Sequence, residues 1–153
     1  MNIQNDHQYK NYIKFHLTKL RNQAQYRLEE ILEADLPEGA TACLLEAQPT
    51  RLWSKSQVII RYINNLPNWN EVSDRADFFI SESLDILPAF SEAEEDNLDE
   101  LGLDTVTLEM EAVIEWLYGL FHPMKSNYPD RIIWGGMHDE KRILNFSSGN
   151  WEQ

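Results

Sequence analysis

The sequence predicts a mainly α-helical single domain over residues 1–153: a four- or five-helix bundle with a short C-terminal β-hairpin or extended tail. Three observations carry that expectation. Apolar residues recur at three- and four-residue spacing along four long stretches. Leu, Ile, Val and Phe number forty of the 153 residues, enough to build one core without metals or disulfides. Strand-like runs are short and, one ambiguous stretch aside, confined to the residues after Pro123.

The first stretch, 8–34, places Tyr9, Ile13, Leu17, Leu20, Ala24, Leu28 and Ile31 on one helical stripe, with Asp6 as a cap. Asp35, Pro37 and Gly39 end it. Residues 40–48 suit a short helix or a strand equally, and Pro49 closes them. A second helix is expected over 51–66 from Leu52, Ile59, Ile63 and Leu66, with Ser54 and Gln57 at capping-box spacing and Pro67 as the stop. Asn70 caps a third over 71–87, ended by Pro88. Its apolar side holds Val72, Ala76, Phe79, Ser83, Ile86 and Leu87. Glu71, Asp74, Glu82 and Asp85 fall within about 80° on the other side, with Phe78 among them.

The stretch SEAEEDNLDELGLD, residues 91–104, has Ser91 and Glu94 at capping-box spacing but only Leu98, Leu101 and Leu103 as anchors. It reads as a short helix or a mobile acidic loop. The clearest stripe lies at 105–121: Val106, Met110, Val113, Ile114, Leu117, Leu120 and Phe121. Its far face carries Leu108, Glu111, Glu115 and Tyr118, and the two glutamates repel each other at i,i+4. After Pro123, residues 131–134 and 142–146 flank GGMHDEK and predict a hairpin. Ile13, Leu20, Ile63, Phe79, Val113 and Leu117 are the expected core.

Charge is the strongest functional signal. The net is −13, from 13 basic and 26 acidic residues, and it is segregated. Residues 1–63 carry +1 and residues 123–153 balance. Residues 64–122 hold fifteen acids against one base, Arg75, a net of −14. Such a field repels nucleic acid and anionic membranes and attracts basic proteins. A single cysteine, Cys43, removes disulfide and cysteine–zinc frameworks. No apolar run reaches the ~20 residues of a membrane span, and MNIQNDHQYK is too polar for a signal peptide, so a cytoplasmic protein is expected.

Local motifs add little chemistry. His7, His16, His122 and His138 form no ligand pair, and His16 reads as a core or boundary residue. Asp96, Asp99 and Asp104 around Gly102 miss the spacing of a calcium loop. Cys43 among Ala42, Leu44 and Leu45 reads as a buried thiol, and Gly135–Gly136 as a turn. Arg131 and His138, separated by six residues, are similar in spacing to the Arg–His pair of HEPN ribonucleases, where His acts as general acid or base.

The function these features predict is binding rather than catalysis. The expected protein is a small acidic inhibitor of a basic partner, of the type of a bacterial immunity protein or antitoxin that occludes a cationic nuclease toxin. No cofactor and no metal is expected. The expected partner-binding residues are Glu71, Asp74, Phe78, Glu82, Asp85, Glu94, Glu95, Asp99, Glu111, Glu115 and Tyr118, acids with two rings set among them. The alternatives are a small helical enzyme, either the Arg131/His138 ribonuclease or a metal-dependent hydrolase, and an adaptor subunit of a larger assembly.

Overall fold

In the computed structural model, which describes residues 3–49, 57–64, 77–79 and 90–153, the chain opens with two consecutive helices. Asn5 accepts the Gln8 amide at 2.9 Å and starts α1 (Asp6–Leu17). A 3₁₀ turn over Thr18–Leu20 follows, then α2 (Arg21–Glu33). The continuous helix expected over 8–34 is thus two helices. The Thr18 hydroxyl donates to the Phe15 carbonyl at the break, as a β-branched Thr does where a helix tightens.

The expected bundle is corrected by what comes next: a six-stranded mixed sheet in the order β3-β2-β1-β4-β5-β6. Its strands are β1 (Ala42–Gln48), β2 (Gln57–Ile63), β3 (Asp77–Phe78), β4 (Ile133–Met137), β5 (Ile143–Asn145) and β6 (Asn150–Glu152). Between β3 and β4 run α3 (Glu92–Glu100), α4 (Thr105–Phe121) and a 3₁₀ segment, His122–Asn127. The helix expected over 51–66 is a strand at 57–63, and the one expected over 71–87 is a strand at 77–78. Apart from Asn64 and the buried Phe79, the rest of both ranges lies outside the described residues.

Side-chain stiffness explains the second helix's replacement. QVIIRYI holds four β-branched residues in seven, a composition that suits a pleated surface and crowds a helix. Its burial follows the strand period: Val58 and Ile60 are buried, Ile59 and Arg61 half-buried.

β1 is central. It pairs antiparallel with β2, Leu45 opposite Ile60, and parallel with β4, Cys43 opposite Ile133. The expected hairpin exists as β4–β5, with Gly135 opposite Leu144, but it is built into the sheet rather than set apart as a tail.

Helix α4 lies against β1 and β4, and α1 lies against α4. Gly135 makes the α4 contact feasible. A Cβ there would stand 2.3 Å from Ile114 Cγ2 and 2.9 Å from Phe146 Cε1, both in fully buried side chains. The helix-side core runs through Ile13, Leu28, Leu45, Ile60, Ile114, Leu117 and Phe146. Of the expected core, Ile13, Ile63, Phe79, Val113 and Leu117 are buried, while Leu20 is only partly so. A separate cluster, Ala42, Leu44 and Ile63 with Trp134 against it, occupies the opposite face. No helix among the described residues is long and apolar enough to cross a membrane.

Candidate protein-docking face

Among the described residues, the acidic segment holds carboxylates that the chain neutralises and carboxylates that it leaves to solvent. Glu111 and Glu115 belong to the first kind. One helical turn apart on α4, they meet the lysines of α1: Lys10 Nζ lies 3.3 Å from Glu111 Oε2 and 2.9 Å from Glu115 Oε1, and Lys14 Nζ 3.0 Å from Glu115 Oε1. From the other side Arg142 bonds Glu111, and Trp151 Nε1 donates to Glu115 at 3.4 Å. The Arg142 guanidinium also sits 5.2 Å from the Trp151 ring centre. The i,i+4 repulsion between the two glutamates is answered by three cations from elsewhere in the chain.

The titration of Glu115 and Lys10 reflects this setting. Burial would raise the Glu115 carboxyl, but hydrogen bonds from Lys10 and Lys14 outweigh it and hold the group below the usual carboxylate range. Burial would likewise lower the Lys10 ammonium, yet Glu115 and Glu111 together hold it above its ordinary value. Tyr118 is similarly occupied. Its ring meets Phe146 edge-on at 5.6 Å, and its hydroxyl is 3.2 Å from His122 Nδ1.

Helix α3 is the other kind. The Ser91–Glu94 capping box is present, Ser91 Oγ accepting from the Glu94 amide and Glu94 accepting from the Ser91 amide. The bond from the Ser91 backbone amide, and after it the Ser91 hydroxyl, hold the Glu94 carboxyl below its ordinary value. At the far end Gly102, at φ +71°, and Leu103 return hydrogen bonds to Asp99 and Leu98, and Leu98 is buried beneath. With both ends fixed, the stretch is a defined helix rather than a loop.

Glu95, Asp99, Glu92, Asp96 and Glu100 then occupy an arc of about 140° by the 3.6-residue period. All five are exposed, α3 contains no basic residue, and no cation pairs with them among the described residues.

Of the expected binding residues, Glu94, Glu95 and Asp99 lie on this helix, whereas Glu111, Glu115 and Tyr118 are engaged inside the fold. Glu71, Asp74, Glu82 and Asp85 lie outside the described residues, and of Phe78 only the backbone, in β3, is described. Glu92, Asp96 and Glu100 were left out of that expectation, although the helical wheel of 92–100 places them on the same arc.

The residues of the enzymatic alternative are not brought together. Arg131 precedes β4 and bonds the Ala34 carbonyl; His138 follows β4 and lies 3.2 Å from Asp139. The strand between them separates their backbones by about 20 Å at ~3.3 Å per residue. Among the described residues no group of three His, Cys, Asp or Glu is placed to hold a metal ion. Cys43 is buried, and burial pushes its thiol up to about 11, which suits packing rather than nucleophilic chemistry. No protein family, curated protein or solved structure matches the chain on comparison.

Proposed function

We propose that this chain is an acidic inhibitor that binds and occludes a basic protein, of the class of a bacterial immunity protein or antitoxin directed at a cationic nuclease toxin. One observation carries the reading: although Glu92, Glu94 and Glu95 suit the positive end of the α3 dipole, the other acids of the helix, Asp96, Asp99 and Glu100, are placed where they cost it stability. Glu92–Asp96, Glu95–Asp99 and Asp96–Glu100 are like-charge i,i+4 pairs, each unfavourable by about 0.2–0.5 kcal/mol. Asp99 and Glu100 also stand in the last turn, where the helix dipole favours cations. Solubility alone is served by any dispersed charge and does not call for this arrangement. A nuclease presents cations to phosphate, and an acidic helix competes for the same surface.

The test uses the protein encoded beside this chain in its genome. That protein is expected to be basic and to arrest growth when expressed alone, and co-expression of this chain should restore growth. The Glu95→Lys, Asp96→Lys, Asp99→Lys variant should fold and fail to restore it. In surface plasmon resonance it should associate with that partner at least about tenfold more slowly at low salt. A partner without excess positive charge, or equal protection by the triple variant, overturns the reading.

A further inference from the structure

A chain of rings runs from the core to the surface beside α3. Tyr9, buried on α1, lies 6.1 Å from Phe90 between ring centres. Phe90 stacks with Tyr12 at 5.8 Å, and Tyr12 meets His16 edge-on at 4.7 Å. His16 meets Phe15 edge-on at 5.5 Å, and Phe15 is 67% exposed. An isolated exposed ring is ordinary on a protein surface. This one ends a continuous run of five.

The run has a defined place. Helical steps of 100° set Tyr12 and His16 on one flank of α1, while Lys10 and Lys14 leave by the other toward Glu111 and Glu115. Phe90 immediately precedes the Ser91 cap, so the rings arrive at the first turn of α3, where Glu92 and Glu95 stand exposed. Lys19 follows Phe15 by one helical turn and gives the flank an electrostatic direction, with its negative end at α3.

A run of aromatic faces that leads up to carboxylates suits one side chain above others. A guanidinium stacks on a ring and pairs in its plane with a carboxylate, whereas an ammonium is a compact, strongly hydrated charge. We infer that Tyr12, Phe15 and His16, with Phe90 and the start of α3, form a docking surface for an arginine-bearing segment of the basic partner, Phe15 being its anchor. This rests on the inhibitor reading and deepens it. Charge complementarity with α3 names the occupant, and aromatic anchors inside charged rims are how such interfaces hold once formed.

The test titrates a capped tetra-arginine peptide into the isotopically labelled full chain at low salt, following ring and amide resonances, with tetra-lysine and tetra-glutamate as comparisons. Tetra-arginine should shift the rings of Tyr12, Phe15 and Phe90 together with the amides of residues 92–95, saturably and at lower concentration than tetra-lysine. Phe15→Ala should weaken tetra-arginine binding about threefold or more, and Phe15→Tyr should restore it. Phe15 is exposed, so both variants fold, which circular dichroism verifies. Shifts confined to α3, tetra-lysine binding as tightly as tetra-arginine, or an unchanged affinity in Phe15→Ala overturns the aromatic anchor. Acidic docking by α3 would survive those results, because it is decided separately by growth rescue with the triple variant. No saturable shift with tetra-arginine also overturns the inference.

Discussion

Glu100 shows how much a single side chain reveals. It stands at the C-terminus of α3, repels Asp96 one turn back and opposes the helix dipole, and no cation meets it among the described residues. Glu100→Lys removes both costs. The variant should therefore be more stable than the parent by about 0.3–1 kcal/mol in urea titration, while binding the basic partner more slowly. Equal or lower stability would mean that a contact beyond the described residues holds this carboxylate. Leu117 is the opposite case. It is 1% exposed at the centre of α4, and Leu117→Ala should cost about 2–5 kcal/mol in the same titration. Gly135→Ala should cost about 1–3 kcal/mol for the reverse reason, since its Cβ has no room beneath Ile114 and Phe146.

Two groups in the tie between α1, α4 and the C-terminal strands, Glu115 and Lys10, link its stability to pH. Glu115 has its folded pKa below the ordinary 4.5, so its contribution is present above that value and lost as pH falls through the lower folded one. Lys10 is raised above 10.5, so its share is present below that value and lost as pH rises further. Glu115→Gln should thus destabilise the protein by a near-constant amount between about pH 6 and 9, and the difference from the parent should shrink below pH 4.5. Denaturant midpoints across that range measure it.

Legibility in the sequence followed the range of the interactions involved. Helix α4 was legible in its ends, Thr105 and Phe121, and in Met110, Val113, Ile114, Leu117 and Phe121 of its stripe, because these are local; Leu108, expected on the far face, is buried, and Val106 and Leu120 are only partly so. The capping box of α3 was equally local. β2 was misread because a spacing of four, Ile59 to Ile63, satisfies both one helical turn and two strand repeats. β1 gave no alternation because both its faces are covered, so only Glu46 along it is not buried. The cations of Glu111 and Glu115 were invisible for another reason: Lys10 and Lys14 stand about a hundred positions away, beyond any helical spacing rule.

Across the whole molecule, folding redistributes charge. The segment 64–122 carries −14 in sequence, yet Glu111 and Glu115 spend theirs on Lys10, Lys14 and Arg142. Among the described residues the unopposed field is concentrated on α3. Screening at 0.15 M salt limits such a field to about 8 Å. Association of the parent with its partner should therefore slow steeply as salt rises, and the α3 triple variant should show a much flatter dependence. Parallel slopes for the two proteins would place the steering charge elsewhere on the chain.

The pairing of β1 with β4 has a consequence for biosynthesis. Cys43 and Ile133 are partners across ninety positions, so the centre of the sheet closes only when some ninety further residues have been made after β1. At about 5–20 residues per second, β1 waits several seconds on the ribosome with one edge open and Leu44 and Leu45 unshielded. Contacts of such separation also form slowly once the chain is free. The yield of folded protein is then governed by how that interval is managed, through translation rate, temperature and chaperone supply, more than by the stability of the finished fold.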